Sequence, residues 1–311
     1  TSSFTITEPA TALTATSSQT DIICPGGSNG SASVVASGGV PAYSYAWAPS
    51  GGTSATATGL TAGTYTCAIT DANNCTLSVT FNVTEPAAIS VINSQTNITC
   101  FGSNDGTAAV SVSGGTPAYT YAWTPVGGTG STAVGLTTGN YTCTITDANS
   151  CSATSTFIIT EPAALAVTSV QTDISCNGGS NGSATVSVTG GTRSYSYSLA
   201  PSRGTATTAS GLTAGNYTCT ITDANSCSIT ATVNLTEPSA ISATTSQTNI
   251  SCNGGNNGSA SVFASGGIPA YTYFWAPSGG TASTASSLST GTYTCTITDA
   301  NGCSTTATVN I

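Results

Sequence analysis

The chain repeats itself every 76 residues, and this period limits what it can fold into. The stretch GTYTCAITDANNC at Gly63 returns as GNYTCTITDANSC at Gly139 and Gly215, and as GTYTCTITDANGC at Gly291. Solenoid repeats usually measure about 20 to 50 residues. A longer unit can close a small hydrophobic core of its own. The sequence therefore predicts a string of separate small domains.

The tripeptide TEP marks the start of each unit, at Thr7, Thr84, Thr160 and Thr236. The expected domains are repeat 1 (7–83), repeat 2 (84–159), repeat 3 (160–235) and repeat 4 (236–311). Residues 1–6 match the segments that precede the later TEP tripeptides, so we interpret them as the last strand of a preceding repeat. On this interpretation the chain is a window on a longer array, and any targeting signal lies outside the window.

The composition excludes several classes of function. The chain has no His, Met or Lys, and its only cations are Arg193 and Arg203 against 11 acidic residues. It lacks the basic surface that nucleic acids require. It also lacks the bases, phosphate loops and zinc-type clusters on which catalysis and metal binding depend. No apolar run approaches the 18 residues of a membrane span. We expect no enzyme, no nucleic-acid partner, no cofactor and no membrane span.

The residue pattern within a unit is that of β-strands. In AYTYAW, Tyr119, Tyr121 and Trp123 alternate with small residues and share one face of a strand, and no helical periodicity occurs. A tyrosine two residues before a cysteine, as at Tyr65 and Cys67, is typical of the tyrosine corner of immunoglobulin-like domains. The predicted fold is all-β, a tandem array of four small immunoglobulin-like β-sandwiches. The expected core aromatics are Tyr43, Tyr45, Trp47, Tyr65, Tyr119, Tyr121, Trp123, Tyr141, Tyr195, Tyr197, Tyr217, Tyr271, Tyr273, Trp275 and Tyr293.

Several motifs together resemble a known family. They are C-x-G-G-x-x-G-S-A at Cys176 and Cys252, S-G-G-x-P-A-Y-x-Y-x-W at Ser37, Ser113 and Ser265, A-G-T-Y-T at Ala62, and T-D-A-N-G-C at Thr298. This set resembles the SprB repeat of large surface adhesins from gliding bacteria of the Bacteroidetes type, and the resemblance covers all four units. It implies a secreted, filament-like, cell-surface protein that serves adhesion or motility and is exported by the type IX system.

Each unit has three cysteines, and the resemblance suggests how two of them pair. The family pattern usually has the first and the last, which favours a disulfide within each repeat: Cys24–Cys75, Cys100–Cys151, Cys176–Cys227 and Cys252–Cys303. The middle cysteines depart from that pattern and would be inward-facing thiols: Cys67, Cys143, Cys219 and Cys295.

Strand counting leaves other pairings open. With seven alternating strands, Cys24 and Cys75 lie at opposite ends of a repeat, and Cys24 faces Cys151 of the next repeat. With six strands, the two cysteines of one repeat share an end. In a third arrangement the middle cysteine bonds within or between chains. Spacing alone does not choose among these pairings.

Acidic residues open the DAN turns at Asp71, Asp147, Asp223 and Asp299. We expect Asx-turns, in which the carboxylate accepts backbone N–H bonds. The alternative is calcium at the repeat junctions, with Glu85, Glu161 or Glu237 as a second ligand. Two acids per junction are few for an ion that takes six to eight oxygens.

The predicted function is that of a rigid stalk of tandem sandwiches on the outside of a bacterial cell. Its expected partners are further copies of the repeat, other copies of the chain in a fibre, or a surface polysaccharide. The alternative is a set of glycan-binding modules that act by avidity. Outward-facing Tyr43 or Tyr45 would favour that alternative.

Overall fold

A computed structural model describes residues 2–4, 7–9, 11–202 and 204–311. The predicted strand at 1–6 falls partly outside these ranges. Across the described ranges the chain forms strands and no helix, so none is long and apolar enough to cross a membrane. The chain divides into two compact units, 1–161 and 162–311, each of which contains two of the predicted repeats.

Each repeat has six strands. In repeat 1 they are β1 (Thr14–Thr20), β2 (Gly30–Ser37), β3 (Ser44–Ala48), β4 (Thr56–Leu60), β5 (Gly63–Thr70) and β6 (Thr76–Val83). In repeat 2 they are β7 (Ser90–Thr96), β8 (Gly106–Ser113), β9 (Thr120–Thr124), β10 (Thr132–Leu136), β11 (Gly139–Thr146) and β12 (Ser152–Ile159). In repeat 3 they are β13 (Ala166–Thr172), β14 (Gly182–Thr189), β15 (Ser196–Ala200), β16 (Thr208–Leu212), β17 (Gly215–Thr222) and β18 (Ser228–Leu235). In repeat 4 they are β19 (Ser242–Thr248), β20 (Gly258–Ser265), β21 (Thr272–Ala276), β22 (Thr284–Leu288), β23 (Thr292–Thr298) and β24 (Ser304–Asn310).

The strands of a repeat form two antiparallel three-stranded sheets. In repeat 1 the strand orders are β1-β2-β4 and β3-β5-β6, and the other repeats follow the same scheme. The inner faces of the two sheets enclose one hydrophobic core per repeat. The all-β, immunoglobulin-like prediction is confirmed.

The two ends of a repeat differ in which turns they carry. Gly30 pairs with Leu60, and the Ile22 amide donates to the Thr84 carbonyl across 2.9 Å. We call this the distal end, where β4 and β6 finish. At the opposite, proximal end, the Val40 amide donates to the Asp71 carboxylate across 2.9 Å.

The third and fourth strands run in the same direction. β3 is antiparallel to β5, which starts at the distal end where Gly63 pairs with Val83. β3 and β4 therefore both run toward the distal end, and residues 49–55 return between them. Because β3 and β4 run in the same direction, the chain changes direction only four times among its six strands. The first and last strands therefore run the same way, as they would in a repeat of five strictly alternating strands. The expectation that six strands place Cys24 and Cys75 at one end is wrong for this reason.

The core follows the strict alternation of the central strand. In β5, Tyr65, Cys67 and Ile69 are buried in turn. Cys67 is fully buried and lies opposite Trp47 on one neighbouring strand and Val79 on the other. The middle cysteine of each repeat is therefore a small core residue. Its equivalents Cys143, Cys219 and Cys295 are buried in the same place.

The aromatic residues of the sequence pattern all pack on these cores. Buried members are Trp47, Trp123, Trp275, Tyr65, Tyr141, Tyr217 and Tyr293. Half-buried members that pack against the cores are Tyr43, Tyr45, Tyr119, Tyr121, Tyr195, Tyr197, Tyr271 and Tyr273. The Tyr65 hydroxyl donates to the Thr61 carbonyl across 3.2 Å. This bond to the backbone four residues upstream is the tyrosine corner.

In repeat 2, the turn that follows β9 depends on a glycine packed beside Trp123. Gly127 has φ 144°, and a Cβ there would lie 2.8 Å from Trp123 Cβ and 2.9 Å from Ala133 Cβ. Neighbouring Gly128 has φ 84° but open space around it. Repeat 3 differs at both partners, because Leu199 replaces the tryptophan and Arg203 takes the glycine's place in the sequence.

Gly127→Ala should therefore destabilise the chain more than Gly128→Ala does. Both variants carry the strain of positive φ, about 1 kcal/mol, but only the first overfills the core, which costs about 1–3 kcal/mol more. Denaturant unfolding of both variants measures the difference. Equal losses would show that the tryptophan packing does not depend on the glycine.

Candidate functional site

The distal end of one repeat meets the proximal end of the next through a disulfide. In the first unit, Cys24 of the β1–β2 turn is bonded to Cys151 of the β11–β12 turn, with 5.6 Å between the Cα atoms. In the second unit, Cys176 is bonded to Cys303 with the same Cα separation. We call these two bonds the junction disulfides. Each closes a sequence separation of 127 residues.

A second contact accompanies each junction disulfide. The Asn149 side-chain amide donates to the carbonyl of Ile23, next to Cys24, across 3.2 Å. In the second unit Asn301 donates to the Ser175 carbonyl across 3.0 Å. The DAN turn of one repeat thus holds the cysteine turn of its predecessor by one covalent bond and one hydrogen bond.

The TEP linker is fixed on both sides of its proline. Glu85 accepts a hydrogen bond from the Gly26 amide of repeat 1 across 2.6 Å. The Ala87 carbonyl accepts one from the Gly115 amide of repeat 2 across 2.7 Å. Pro86 lies between these two anchors, and its ring fixes φ. The linker has little freedom to bend.

The same linker geometry recurs in the second unit. Glu237 accepts from the Gly178 amide across 2.7 Å, and the Ser239 carbonyl accepts from the Gly267 amide across 2.8 Å. Within the first unit Glu161 also binds the Gly102 amide, across 2.7 Å. These glutamates are therefore anchors of a backbone turn, a role that the sequence analysis missed. A fixed offset of 59 residues between glycine and glutamate was the available signal.

The disulfide pairing within each repeat, favoured by the resemblance, is wrong for Cys24 and Cys176. Cys24 is bonded to Cys151 instead of Cys75, and Cys176 to Cys303. The physical reason is the parallel course of β3 and β4, which puts the first and last cysteines of a repeat at opposite ends. This is the junction pairing that strand counting left open. Cys100 and Cys227 are also disulfide-bonded.

Among the residues that the structure describes, six cysteines are free thiols, in two different settings. Cys75 and Cys252 are exposed. The middle cysteines Cys67, Cys143, Cys219 and Cys295 are buried, and burial raises the pKa of each of these thiols. A raised pKa lowers the thiolate fraction, so these buried thiols are poor nucleophiles.

The aspartate of each DAN turn binds backbone amides at the proximal end. Asp147 Oδ2 accepts from the Thr116 amide, and Oδ1 accepts from the amides of Asn149 and Cys151, each across 2.9 Å. The hydrogen bond to Cys151 holds the cysteine that forms the junction disulfide. The predicted Asx-turn is present, and the bond to Thr116 adds a long-range contact that fixes the turn on its sheet.

Hydrogen bonding changes the acidity of these carboxyls. The backbone amide of Thr116 is the largest cause that lowers the pKa of Asp147, and equivalent bonds lower the pKa of Asp71, Asp223 and Asp299. In the alternative interpretation they would bind calcium. Within the described ranges, no group of three or more His, Cys, Asp or Glu residues could hold a metal ion.

Acid should lower the stability of the folded repeats by protonating the aspartates at their proximal ends. Because the folded pKa of these aspartates lies below the ordinary value of 3.8, their stabilisation is complete above about pH 4 and is lost as the pH falls through the folded pKa. We expect the melting temperature to be level near neutral pH and to fall steeply below about pH 4. Asp147→Asn should blunt the fall, whereas Glu8→Gln, at an exposed site, should not. A melting temperature unchanged down to pH 2 would contradict this account.

Comparison with known families finds four tandem matches, one in each repeat. A family model described as the SprB repeat matches residues 16–52, 92–128, 168–204 and 244–281. The chain belongs to the SprB repeat family. Each matched range contains the first cysteine of its repeat and ends before the middle and last cysteines. Family membership therefore does not by itself specify the disulfide pairing. No curated protein sequence matches the chain.

Solved structures that match the chain include a cell-adhesion molecule and an S-layer protein. The N-terminal eight Ig domains of Down Syndrome Cell Adhesion Molecule isoform 1.30.30 align over 93% of this chain and 58% of that chain, with 11% identity and a TM-score of 0.25. The S-layer protein rSbsC(31-844) aligns over 92% of this chain and 53% of that one, with 14% identity and a TM-score of 0.24. The chain thus spans little more than half the length of these two structures.

Four SprB repeats with disulfides between them identify the kind of protein. Disulfides persist in oxidising, extracellular environments. The chain is a repeat region of an extracellular surface protein.

Proposed function

We propose that this SprB repeat region is a tension-carrying stalk of a bacterial cell-surface protein that serves attachment or gliding motility. The observation that supports this proposal is the junction disulfide. It joins the distal end of one repeat to the proximal end of the next. A covalent bond between two repeats transmits load from one to the other, a role that repeats which are merely soluble and separate do not need.

Tension applied to the two ends of the chain has a short covalent path through the junction. In the first unit it runs along β1 to Cys24, across the disulfide to Cys151, and out along β12. Residues 25–150 lie outside this path. Unfolding of residues 25–150 does not lengthen the tether, so this part of repeats 1 and 2 is shielded from the load.

The anchored linker supports the same function. Glu85 and Ala87 fix the two sides of Pro86 to successive repeats, which limits bending between them. Export by the type IX system to the oxidising cell exterior would allow the junction disulfides to form.

The alternative, a multivalent glycan-binding array, has less support. Its expected mark was an outward-facing Tyr43 or Tyr45, but both side chains pack against the core. The Tyr43 hydroxyl is also occupied, since it donates to the Gly38 carbonyl across 2.7 Å.

Adhesion under flow tests the proposal. The surface protein that contains this region is expressed with Cys24→Ser/Cys151→Ser and Cys176→Ser/Cys303→Ser together, and bacterial attachment is measured at rest and under shear. The matched control replaces two exposed strand serines at equivalent positions, Ser18→Ala/Ser94→Ala. A stalk predicts unchanged attachment at rest and loss of attachment or gliding under shear for the first variant only. Equal performance of both variants under high shear would refute the mechanical role.

A further inference from the structure

We propose that carboxylates around each junction disulfide repel anionic thiols, so that the folded junction resists reduction by these reagents and discriminates among small thiols by their charge. The discrimination is a property of the two turns and the linker that meet at the bond. It is independent of any load on the chain. The groups that produce it occur at both junctions.

A cleft opens each junction disulfide to solvent. In the first unit the lining of the cleft includes Cys24, Cys151, Ala88, Ile89 and Ser152. The equivalent positions line the cleft of the second unit: Cys176, Cys303, Ala240, Ile241 and Ser304. A small thiol can therefore reach the bond while the repeats remain folded, so steric exclusion alone does not protect the junction.

An aspartate places a negative charge beside the bond. Asp147 Oδ1 accepts a hydrogen bond from the Cys151 amide across 2.9 Å, so the carboxylate lies within about 7 Å of Cys151 Sγ. Backbone amides, that of Thr116 above all, lower the pKa of Asp147, which keeps it ionised at neutral pH. In the second unit Asp299 binds the Cys303 amide in the same way, across 2.9 Å.

Two more carboxylates lie on the other side of the bond. Glu85 accepts from the Gly26 amide across 2.6 Å, two residues after Cys24. Asp21, three residues before Cys24, accepts from the Thr84 amide across 2.9 Å. The second unit has an equivalent set of three: Asp173, Glu237 and Asp299.

No cation offsets these charges in the first unit, because residues 1–161 contain no Lys, Arg or His. In the second unit Arg193 follows β14, at the end of repeat 3 opposite Cys176. The field at each disulfide is therefore negative. At a separation of about 8 Å and about 10 mM salt, each carboxylate lowers the local concentration of a singly charged anion about twofold, and three together lower it about eightfold.

Reduction takes two thiol–disulfide exchanges, and each brings a thiolate to the bond. The first thiolate attacks Cys24 Sγ, because Cys151 is only 7% exposed. A mixed disulfide with Cys24 forms, the Cys24–Cys151 bond breaks, and its electron pair leaves on Cys151 Sγ, which takes a proton from water. A second thiolate attacks the mixed disulfide, releases Cys24 as a thiol and leaves as the oxidised reagent.

The leaving thiolate meets negative groups as well. The Ile23 carbonyl oxygen lies 3.4 Å from Cys151 Sγ, and the Ser175 carbonyl oxygen lies 3.3 Å from Cys303 Sγ. These contacts disfavour a thiolate at the leaving sulfur and slow attack by every thiol equally. Dependence of the rate on the charge of the reagent therefore separates repulsion in the cleft from this general resistance.

The test uses the full folded chain and three small thiols that differ in charge: anionic 2-mercaptoethanesulfonate, neutral 2-mercaptoethanol and cationic cysteamine. Loss of Cys24–Cys151 and Cys176–Cys303 is followed by alkylation and peptide mass. Rates are taken per thiolate and divided by the rates with hydroxyethyl disulfide, a neutral reference. From cysteamine to mercaptoethanol and from mercaptoethanol to the sulfonate, we expect a decrease of about fivefold or more at 10 mM salt, and of less than about twofold at 0.5 M salt.

An aspartate variant assigns the effect to its residue. Asp147→Asn should speed reduction of Cys24–Cys151 by all three thiols and lower the neutral-to-anionic rate ratio about twofold. The matched control is Asp71→Asn, which alters the same turn at the end of repeat 1 opposite Cys24. The control should leave the rates at Cys24–Cys151 as in wild type.

A glutamate variant leaves the DAN turn intact. Glu85→Gln keeps an oxygen that can accept from the Gly26 amide, and it should lower the same rate ratio about twofold. Its control is Glu161→Gln, because Glu161 binds the Gly102 amide across 2.7 Å at the distal end of repeat 2, away from Cys151.

Three results would overturn the proposal. One is equal relative rates for the three thiols at 10 mM salt. Another is a dependence on reagent charge that persists undiminished at 0.5 M salt. The third is a neutral-to-anionic ratio that neither Asp147→Asn nor Glu85→Gln lowers.

Discussion

A single chain held by its ends should lengthen about fivefold less when oxidised than when reduced. With both junction disulfides formed, the extensible backbone consists of the residues before Cys24, those from Cys151 to Cys176, and those after Cys303. At about 3.5 Å per extended residue, this is about 200 Å, against about 1,000 Å for the reduced chain. The difference arises because unfolding the shielded residues adds no length to the tether.

Force spectroscopy in the presence and absence of reductant measures these lengths. Disulfides within each repeat would leave three linkers and the two chain ends unshielded and give about 370 Å instead. The Cys24→Ser/Cys151→Ser variant should extend well beyond the oxidised wild-type chain, whereas Cys75→Ser/Cys252→Ser should match it. An oxidised wild-type chain that reaches the reduced length without breaking a covalent bond would contradict the account.

Removal of one junction disulfide should cost the chain about 5 kcal/mol of unfolding free energy. The estimate comes from the entropy that a bond across 127 residues removes from the unfolded chain. Cys24→Ser/Cys151→Ser should therefore unfold at clearly lower denaturant concentration than wild type. Its matched control is Cys75→Ser/Cys252→Ser. This variant changes the equivalent turns of repeats 1 and 4, where the cysteines form no disulfide in this chain.

Comparing the unfolding free energies of the two double variants separates the contribution of the disulfide from that of the turns. Both replace a cysteine that follows a DAN turn and one in a C-x-G turn, so small local changes should cancel. The control should lie within about 0.5 kcal/mol of wild type, as surface substitutions usually do. Equal losses in both variants would mean that the cysteines stabilise their turns rather than the junction.

Strand alternation made the fold and the core predictable from the sequence. Tyr65, Cys67 and Ile69 point to one face of β5 because side chains alternate along a strand, and the structure buries all three. The tyrosine corner was predictable for the same local reason, since Tyr65 and Thr61 are four residues apart. These features depend on near neighbours in the chain.

The disulfide pairing depended on a feature that alternation does not encode. Residues 49–55 turn back between β3 and β4, so two successive strands run in one direction. No residue pattern distinguishes this return from an ordinary hairpin, and a strand count alone gives the wrong end for Cys75. The contacts of Glu85 with Gly26, and of Asp147 with Thr116, are likewise long-range and were not predicted.

Disulfide mapping of the unreduced protein tests the central claim most directly. Free thiols are alkylated, and the chain is cleaved before Asp71, Asp147, Asp223 and Asp299, which separates each middle cysteine from the last cysteine of its repeat. The account predicts peptides that join Cys24 to Cys151 and Cys176 to Cys303, with alkylated Cys75 and Cys252 in the monomeric chain. Peptides that join Cys24 to Cys75 and Cys176 to Cys227 would contradict it.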